Sequence, residues 1–406
     1  MSPLHQNLRR ARLRLGWALD DLAEAAQHIV SKQMLSKYEQ GTAAPSQKVL
    51  FALAAALRMP ASELLTNPTV KVDFVAFRKH SDLPKKEEEK IKAEIELQIN
   101  RRRELSAALG EPLVGWRLRS LTASRVEDAE RHAVEVRAEW GLGLHPIANL
   151  TATVESEGVE VFVVRTHEKF SGISAWTSDR QPIAVVQFRE ADGARQRFDL
   201  AHELAHLVLS PHNSFTTAKE EEQYAQRFAG AFLFPESCVV AEFGTRRTRV
   251  TKAELQRIKL RFGLSMQAVV RRARDCGVLG SEGYDFWVRH FSRVGRKVEE
   301  GPAVPTETPG RPLRLSARAV GERLLSRVDA ERLSGLSLPD LDDDQTSEAP
   351  IEEYLAPQLR FLAMDEDERQ RAIFDESRAD AEYYRKNPES LLPDFYDEPE
   401  SESTPG

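Results

Sequence analysis

Phe198–Leu209 reads FDLAHELAHLVL, an apolar run broken by two histidines and one glutamate. Residues four apart on an α-helix are turned by about 40° and separated by roughly 6 Å along the axis, so His202 and His206 project from nearly one face and can ligate one metal ion. Glu203 stands about 100° further round, poorly placed as a third helix-borne ligand and well placed to act as a general base on water held beside the metal. Zinc suits such a site, because imidazole and carboxylate both bind it and three protein ligands leave a fourth position open. Leu200, Ala201, Leu204, Ala205, Leu207 and Val208 make the helix apolar nearly all round, which predicts burial. Buried His and Glu need a reason, and a metal supplies one.

A third ligand has to come from elsewhere. Over Ala218–Phe234 the inward stripe is Ala225, Phe228, Ala229, Phe232 and Leu233; extended one turn backwards it reaches Glu221 and Glu222, while Glu220 falls off it. A carboxylate from this helix would complete a two-His, one-Glu site. The rival is His212, ten residues after His202, at the spacing of the longer HExxHxxGxxH motif. Leu209 stands where that motif turns on glycine, so a glutamate is preferred.

The chain around these stretches has 406 residues, enough for two to three domains. Its formal net charge of -7 means that any nucleic-acid binding must rest on a local basic surface. Cys238 and Cys276 sit in no CxxC or Cys/His cluster, which excludes a disulfide framework or a cysteine metal site and suits a reducing compartment. No run of eighteen apolar residues occurs, and the opening residues lack an apolar core followed by a small-residue cleavage site. The expectation is a cytoplasmic protein with no membrane partner.

Residues 4–66 read as short helices with tight turns. Leu4–Leu15 is basic, with Arg9, Arg10, Arg12 and Arg14, and stops at Gly16. Leu19–Ala26 and Lys32–Gln40 follow, joined by a turn at about Gln27–Ser31, and Val49–Leu57 closes the core. In SKQMLSKYEQG, Ser31 is the N-cap, Met34, Leu35 and Tyr38 face inward, and Lys32, Gln33, Ser36 and Lys37 face out. The outward types are those that contact base edges and phosphates. The stretches DLAEAA (Asp21–Ala26), SKYEQGTAAPS (Ser36–Ser46) and PASELL (Pro60–Leu65) resemble the phage-repressor, or XRE, helix-turn-helix family. The turn departs from that family in lacking glycine and in being slightly long, with His28, Ile29 and Val30.

After a short polar connection with one apolar patch, Phe74–Phe77, residues from Pro84 form a charged run, KKEEEKIKAEIELQINRRREL, read as a solvated helix with one sticky stripe, a spacer or dimer contact. Ser124–Trp140 reads as a helix opened by a capping box of Ser124 and Glu127. Past Gly158 the period changes, and Val159–Val164, Gly172–Trp176 and Pro182–Phe188 read as three strands of a small antiparallel sheet, with a further strand through Arg195–Phe198 leading into the HELAH helix. Val250–Val278 reads as a helical end-cap to this region, with a second helix-turn-helix look through Leu264–Arg274. GPAVPTETPGRP, Gly301–Pro312, reads as a linker; Leu315–Leu341 as one or two amphipathic helices; Glu353–Tyr384 as helical; and Pro393–Gly406 as too rich in Pro, Glu and Ser to pack.

FDLAHELAHLVL, followed by EQYAQRFAGAFLFPES from Glu222 to Ser237, makes residues 124–275 similar to the ImmA/IrrE family of metallopeptidases, which includes a phage-immunity anti-repressor protease and a radiation-response regulator. The resemblance implies that Glu222, three residues before Ala225, is the third zinc ligand, and that the substrate is a helix-turn-helix repressor. Gln226, Phe234 and Gln187 depart from the Asn, Met and Asn common in the family.

The expected fold is α+β: an all-α helix-turn-helix domain over 1–66, a charged helical linker over 67–120, a mainly helical zincin-like peptidase domain with a small three-stranded sheet over 121–280, a helical extension with a Pro-rich linker over 281–341, and an acidic, partly disordered tail over 342–406. The expected function is that of a DNA-binding transcriptional regulator carrying a gluzincin-like zinc endopeptidase, with His202, His206 and Glu222 as ligands and Glu203 as base. Its partners would be operator DNA, a repressor as substrate, and a second copy of the chain. His167 and His212 are the candidates for an oxyanion stabiliser. The alternative is a non-proteolytic regulator whose peptidase-like domain senses a ligand or binds a protein; the intact Glu203 argues against it.

Overall fold

Five short helices open the chain: α1 (Leu4–Arg14), α2 (Leu19–Ala25), α3 (Lys32–Glu39), α4 (Gln47–Ala56) and α5 (Ala61–Leu65). The computed structural model describes residues 3–338 except 69, 78–83, 117, 119, 168–169, 190–191, 211, 213, 216 and 296–300; the expectations for 342–406 fall outside the described residues. Leu8, Leu22, Leu35, Leu53, Leu57 and Leu64 form the core of the five helices. The glycine-free turn between α2 and α3 is made by Gln27 and His28 in the left-handed region, at φ 55° and 54°, a conformation that costs a non-glycine residue roughly 1–2 kcal/mol.

The arginines of α1 do not form a basic face. Arg12 is buried and makes a two-pronged pair with Glu39, at 2.6 and 2.7 Å. Arg10 and Arg14 pair with Glu96 and Glu94 of α6 (Lys85–Ala108).

That pairing overturns the reading of the charged run as a solvated helix. Ile91, Ile95 and Ile99 of α6 pack beneath a sheet, Leu97 packs against the helix-turn-helix core, and Arg101 pairs with Glu63 of α5 at 2.7 Å. The helix is charged because its carboxylates and guanidinium groups have partners on both neighbours.

Among the described residues the sheet has four strands rather than three: β1 (Val72–Phe77), β2 (Glu160–Val164), β3 (Gly172–Thr177) and β4 (Pro182–Gln187), in the order β1-β3-β4-β2. β1 is the apolar patch that follows the helix-turn-helix, recruited from about a hundred residues upstream. Only part of the sheet is antiparallel. β3 and β4 form a hairpin and β1 joins β3 antiparallel, but β2 lies parallel to β4. β3 turns directly back on itself, which gives β4 its inner place and leaves β2 to pair on the far side of β4. Side chains alternate across the sheet: Ile183 and Val185 face α6, while Ala184 and Val186 face the main core. Burial on both faces explains why β4 reads as a continuous apolar run.

The main core lies on the other face. It gathers α7 (Asp128–Glu139), α8 (Leu150–Ser156), α9 (Gly193–Val208), α10 (Ala218–Leu233), α11 (Glu236–Phe243), α12 (Lys252–Phe262), α13 (Met266–Asp275) and α14 (Ser281–Val294). α7 starts four residues after Ser124, and its first turn is capped by Asp128, whose carboxylate accepts from the Ser124 and Arg125 amides, so the expected capping box does not form. α9 starts at Gly193, where a strand was expected, with the Asp192 side chain accepting from the Arg195 amide. The helix-turn-helix look of α12 and α13 is a packing device: Arg272 is buried on Glu130 and on the Phe234 carbonyl.

The Pro-rich stretch before α15 (Arg311–Gly321) and α16 (Arg327–Ser334) is not a free linker. The Gly193 amide donates to the Val304 carbonyl, and Gln196 exchanges two hydrogen bonds with the Glu307 backbone. The Glu307 carboxylate accepts from the Leu150 and Thr151 amides, capping α8, and pairs with the buried Arg197. Its role is to clamp the start of α9.

Candidate metal centre

α9 runs across the inner face of the sheet with His202, Glu203 and His206 buried. From Leu200 to Val208 its other residues are apolar, so these three are the polar side chains of that stretch. α10 packs alongside, burying Tyr224, Ala225, Phe228, Ala229 and Phe232 in the main core. Thr217 and Glu220 form a reciprocal cap at its start, which fixes Glu220 away from α9 and turns Glu221 and Glu222 towards it.

His202, His206 and Glu222 each offer one ligand atom, and these atoms all lie within 4.8 Å of one another. The two Nε2 atoms stand 3.1 Å apart, with Glu222 Oε2 3.4 Å from that of His202 and Oε1 3.5 Å from that of His206. Three donor atoms converging on one point, two of them on fully or nearly fully buried imidazoles, make a set that fits zinc. Glu222 keeps 38% of its side chain exposed, so the cluster opens to solvent on the α10 side.

Electrostatics tie the cluster together. Burial pushes the His206 pKa down, but hydrogen bonds to Glu221 and Glu222 outweigh it and carry it up to about 9. Burial likewise pushes Glu222 up, and its contacts with His202 and His206 more than reverse this, holding the carboxyl well below the usual range. A cation is thus favoured between these groups, supplied by protons when no metal is bound.

Of the rivals, Glu221 touches the other side of the His206 ring, with Oε1 3.2 Å from Nδ1, and His212 is exposed and outside the group. His167, half-buried, gives its backbone carbonyl to the Phe170 amide. Two departures from the family pattern have structural roles: Gln187 bonds both backbone groups of Thr166, and Phe234 packs on Phe262 with ring centroids 4.3 Å apart. Gln226 is exposed. Sequence reasoning missed Gly172, where an added methyl would stand 2.4 Å from Glu203 Oε1. Nothing in the local pattern singles out that glycine, because the contact joins β3 to α9.

On the helix-turn-helix, Lys32, Gln33 and Lys37 are exposed along α3 and Ser36 is half-buried. The Ser31 hydroxyl accepts from the Met34 amide, as an N-cap should. Lys32 is held by Asp20 at 2.5 Å, and Ser36 accepts from the Gln40 side chain.

Among the described residues no helix is long and apolar enough to cross a membrane. No curated protein matches the chain. Residues 8–64 match the Helix-turn-helix family, and residues 155–274 match the family described as the IrrE N-terminal-like domain. The chain therefore joins an XRE-type helix-turn-helix of the DNA-binding, transcription-regulating kind to a peptidase-family domain of the ImmA/IrrE type.

Proposed function

We propose that the chain is a zinc-dependent endopeptidase that acts where the DNA is, in the cytoplasm, and relieves repression by cutting a helix-turn-helix repressor. The observation that carries this reading is the convergence of His202, His206 and Glu222 within 4.8 Å, with Glu203 buried on the same helix. Bound zinc would supply a Lewis acid that polarises the scissile carbonyl and acidifies water. Glu203 would take a proton from that water and hand it to the leaving amine as the C–N bond breaks, giving a carboxylate and an amine. Gln33 and Lys37 on α3, with Ser31, Lys32 and Ser36, would seat the chain on its operator, where the repressor's local concentration is high.

The test compares cells expressing the wild-type chain with cells expressing Glu203→Gln, after confirming that both purified proteins hold about one zinc. New protein N-termini, mapped by mass spectrometry, should include one inside a helix-turn-helix repressor in the wild-type cells alone. Identical N-termini together with identical transcript levels in the two strains would reject proteolysis and leave a non-proteolytic regulator.

A further inference from the structure

β1 pairs antiparallel with β3 from Val72↔Thr177 to Phe77↔Ile173, with one irregularity between Phe74 and Ala76. The next residue of β3 beyond that register is Gly172, the glycine packed on Glu203. The Gln187 amide donates to the Ser171 carbonyl at 3.1 Å, so Ser171 turns its backbone groups towards β4. Strand alternation then turns those of Gly172 the opposite way, to the outer edge. One continuous strand edge therefore runs up to Glu203, and β1 covers the stretch leading to it. The other edge of the sheet, β2, lies two strands away from β3.

Resting on the peptidase reading, in which an extended substrate segment pairs along the strand edge beside the base, we infer that β1 is an internal occupant of the outer edge of β3 and must leave before a substrate strand can add there. A strand edge is a template for any extended chain, and main-chain pairing there would fix the scissile peptide beside the base. β1 is suited to leaving: among the described residues its one strand neighbour is β3, Asp73 and the preceding Lys71 are exposed, and Val72 and Phe74 are only half-buried. It is also tied to the helix-turn-helix. It follows α5 directly, and just before it the Val70 amide and carbonyl both bond Asn100 of α6, the helix whose Glu96 pairs with Arg10 of α1. A shift of the DNA-binding helices against the sheet would therefore pull on β1.

The experiment uses the full zinc-loaded chain carrying Glu203→Gln, so that no probe is cut, and a fluorescein-labelled peptide KVDFVAF, the sequence of residues 71–77. Binding is read by fluorescence anisotropy. The Ser178 amide donates to the Lys71 carbonyl, so by alternation the exposed Asp73 is the next residue whose N–H faces β3. Asp73→Pro removes that donor without touching the core, and should bind the peptide at least tenfold tighter than the parent. Val72→Cys with Thr177→Cys, at a directly opposed pair, gives the converse: the oxidised form should bind at least tenfold more weakly than the reduced form. The cysteine pair also decides the matter if the proline variant loses cooperative thermal unfolding. A folded Asp73→Pro chain that binds no better than the parent, or an oxidised pair that binds as tightly as the reduced one, overturns the inference. Peptide binding as expected, with no proteolysis by the chain retaining Glu203, upholds the strand edge and overturns the peptidase reading instead.

Discussion

Glu221 Oε1 lies 3.2 Å from Nδ1 of His206, on the opposite side of the ring from the Nε2 that meets Glu222. A carboxylate can only accept, so this contact keeps a proton on Nδ1 and leaves Nε2 to face a metal. Glu221→Ala should weaken zinc binding by roughly 10–100-fold, the usual effect of losing such a partner. Glu222→Gln should weaken it further, and a chelator competition titration ranks the two. Wild-type affinity in Glu221→Ala would make that carboxylate a bystander.

The same contacts predict a pH dependence. The His206 pKa, raised to about 9 in the metal-free chain, lies above that of an unfolded histidine, about 6.5. Its stabilising contribution is therefore complete below about 6.5 and is lost as pH rises through about 9. Zinc must displace that proton, so its apparent affinity should climb by about tenfold per pH unit across this window and level off above it. Zinc titrations at three pH values check the slope, and a flat profile would rule out proton competition at His206.

Gly172→Ala should separate metal binding from catalysis. The added methyl would meet Glu203 Oε1 at 2.4 Å and its Cδ and Cγ at 2.9 Å, so the carboxylate has to move, and these three nearest atoms all belong to the base rather than to the candidate ligands. Zinc content should stay at the wild-type level, and the repressor cleavage proposed above should fall by at least about tenfold, with the 10²–10⁴-fold that a positioned base supplies as the upper limit. Full activity in this variant would mean that Glu203 need not sit where it does.

Glu307→Gln tests whether the Pro-rich stretch is a clamp. The substitution leaves Arg197, 4% exposed, without its anionic partner and weakens the cap on α8. Breaking a buried pair costs about 3–5 kcal/mol, whereas losing a helix cap alone costs about 1. Denaturant unfolding should give the larger figure; a loss near 1 kcal/mol would mean that the cap is all Glu307 provides.

Much of this was legible from local pattern. The stop at Gly16, the cap at Ser31 and the inward set Met34, Leu35 and Tyr38 gave the helices of the helix-turn-helix to within a residue or two, because each of these signals acts within a turn or two of chain. His202, Glu203 and His206 were readable because four-residue spacing on one helix fixes their geometry without help from the rest of the chain. The stripe of α10 narrowed the third ligand to Glu221 or Glu222.

What the sequence could not settle were contacts between distant segments. Whether Glu221 or Glu222 faces both imidazoles depends on how α10 rolls against α9, a matter of packing between two helices. β1 looks like an incidental apolar patch until β3 offers it an edge, and α6 looks solvated until Glu63, Glu94 and Glu96 find their arginines. Gly172 and Glu307 matter only through a side chain brought to them from elsewhere in the fold. Local sequence determined the elements and the chemistry that one helix can carry; the pairing of elements far apart in the chain, set by the burial each gains from the others, decided how that chemistry is held.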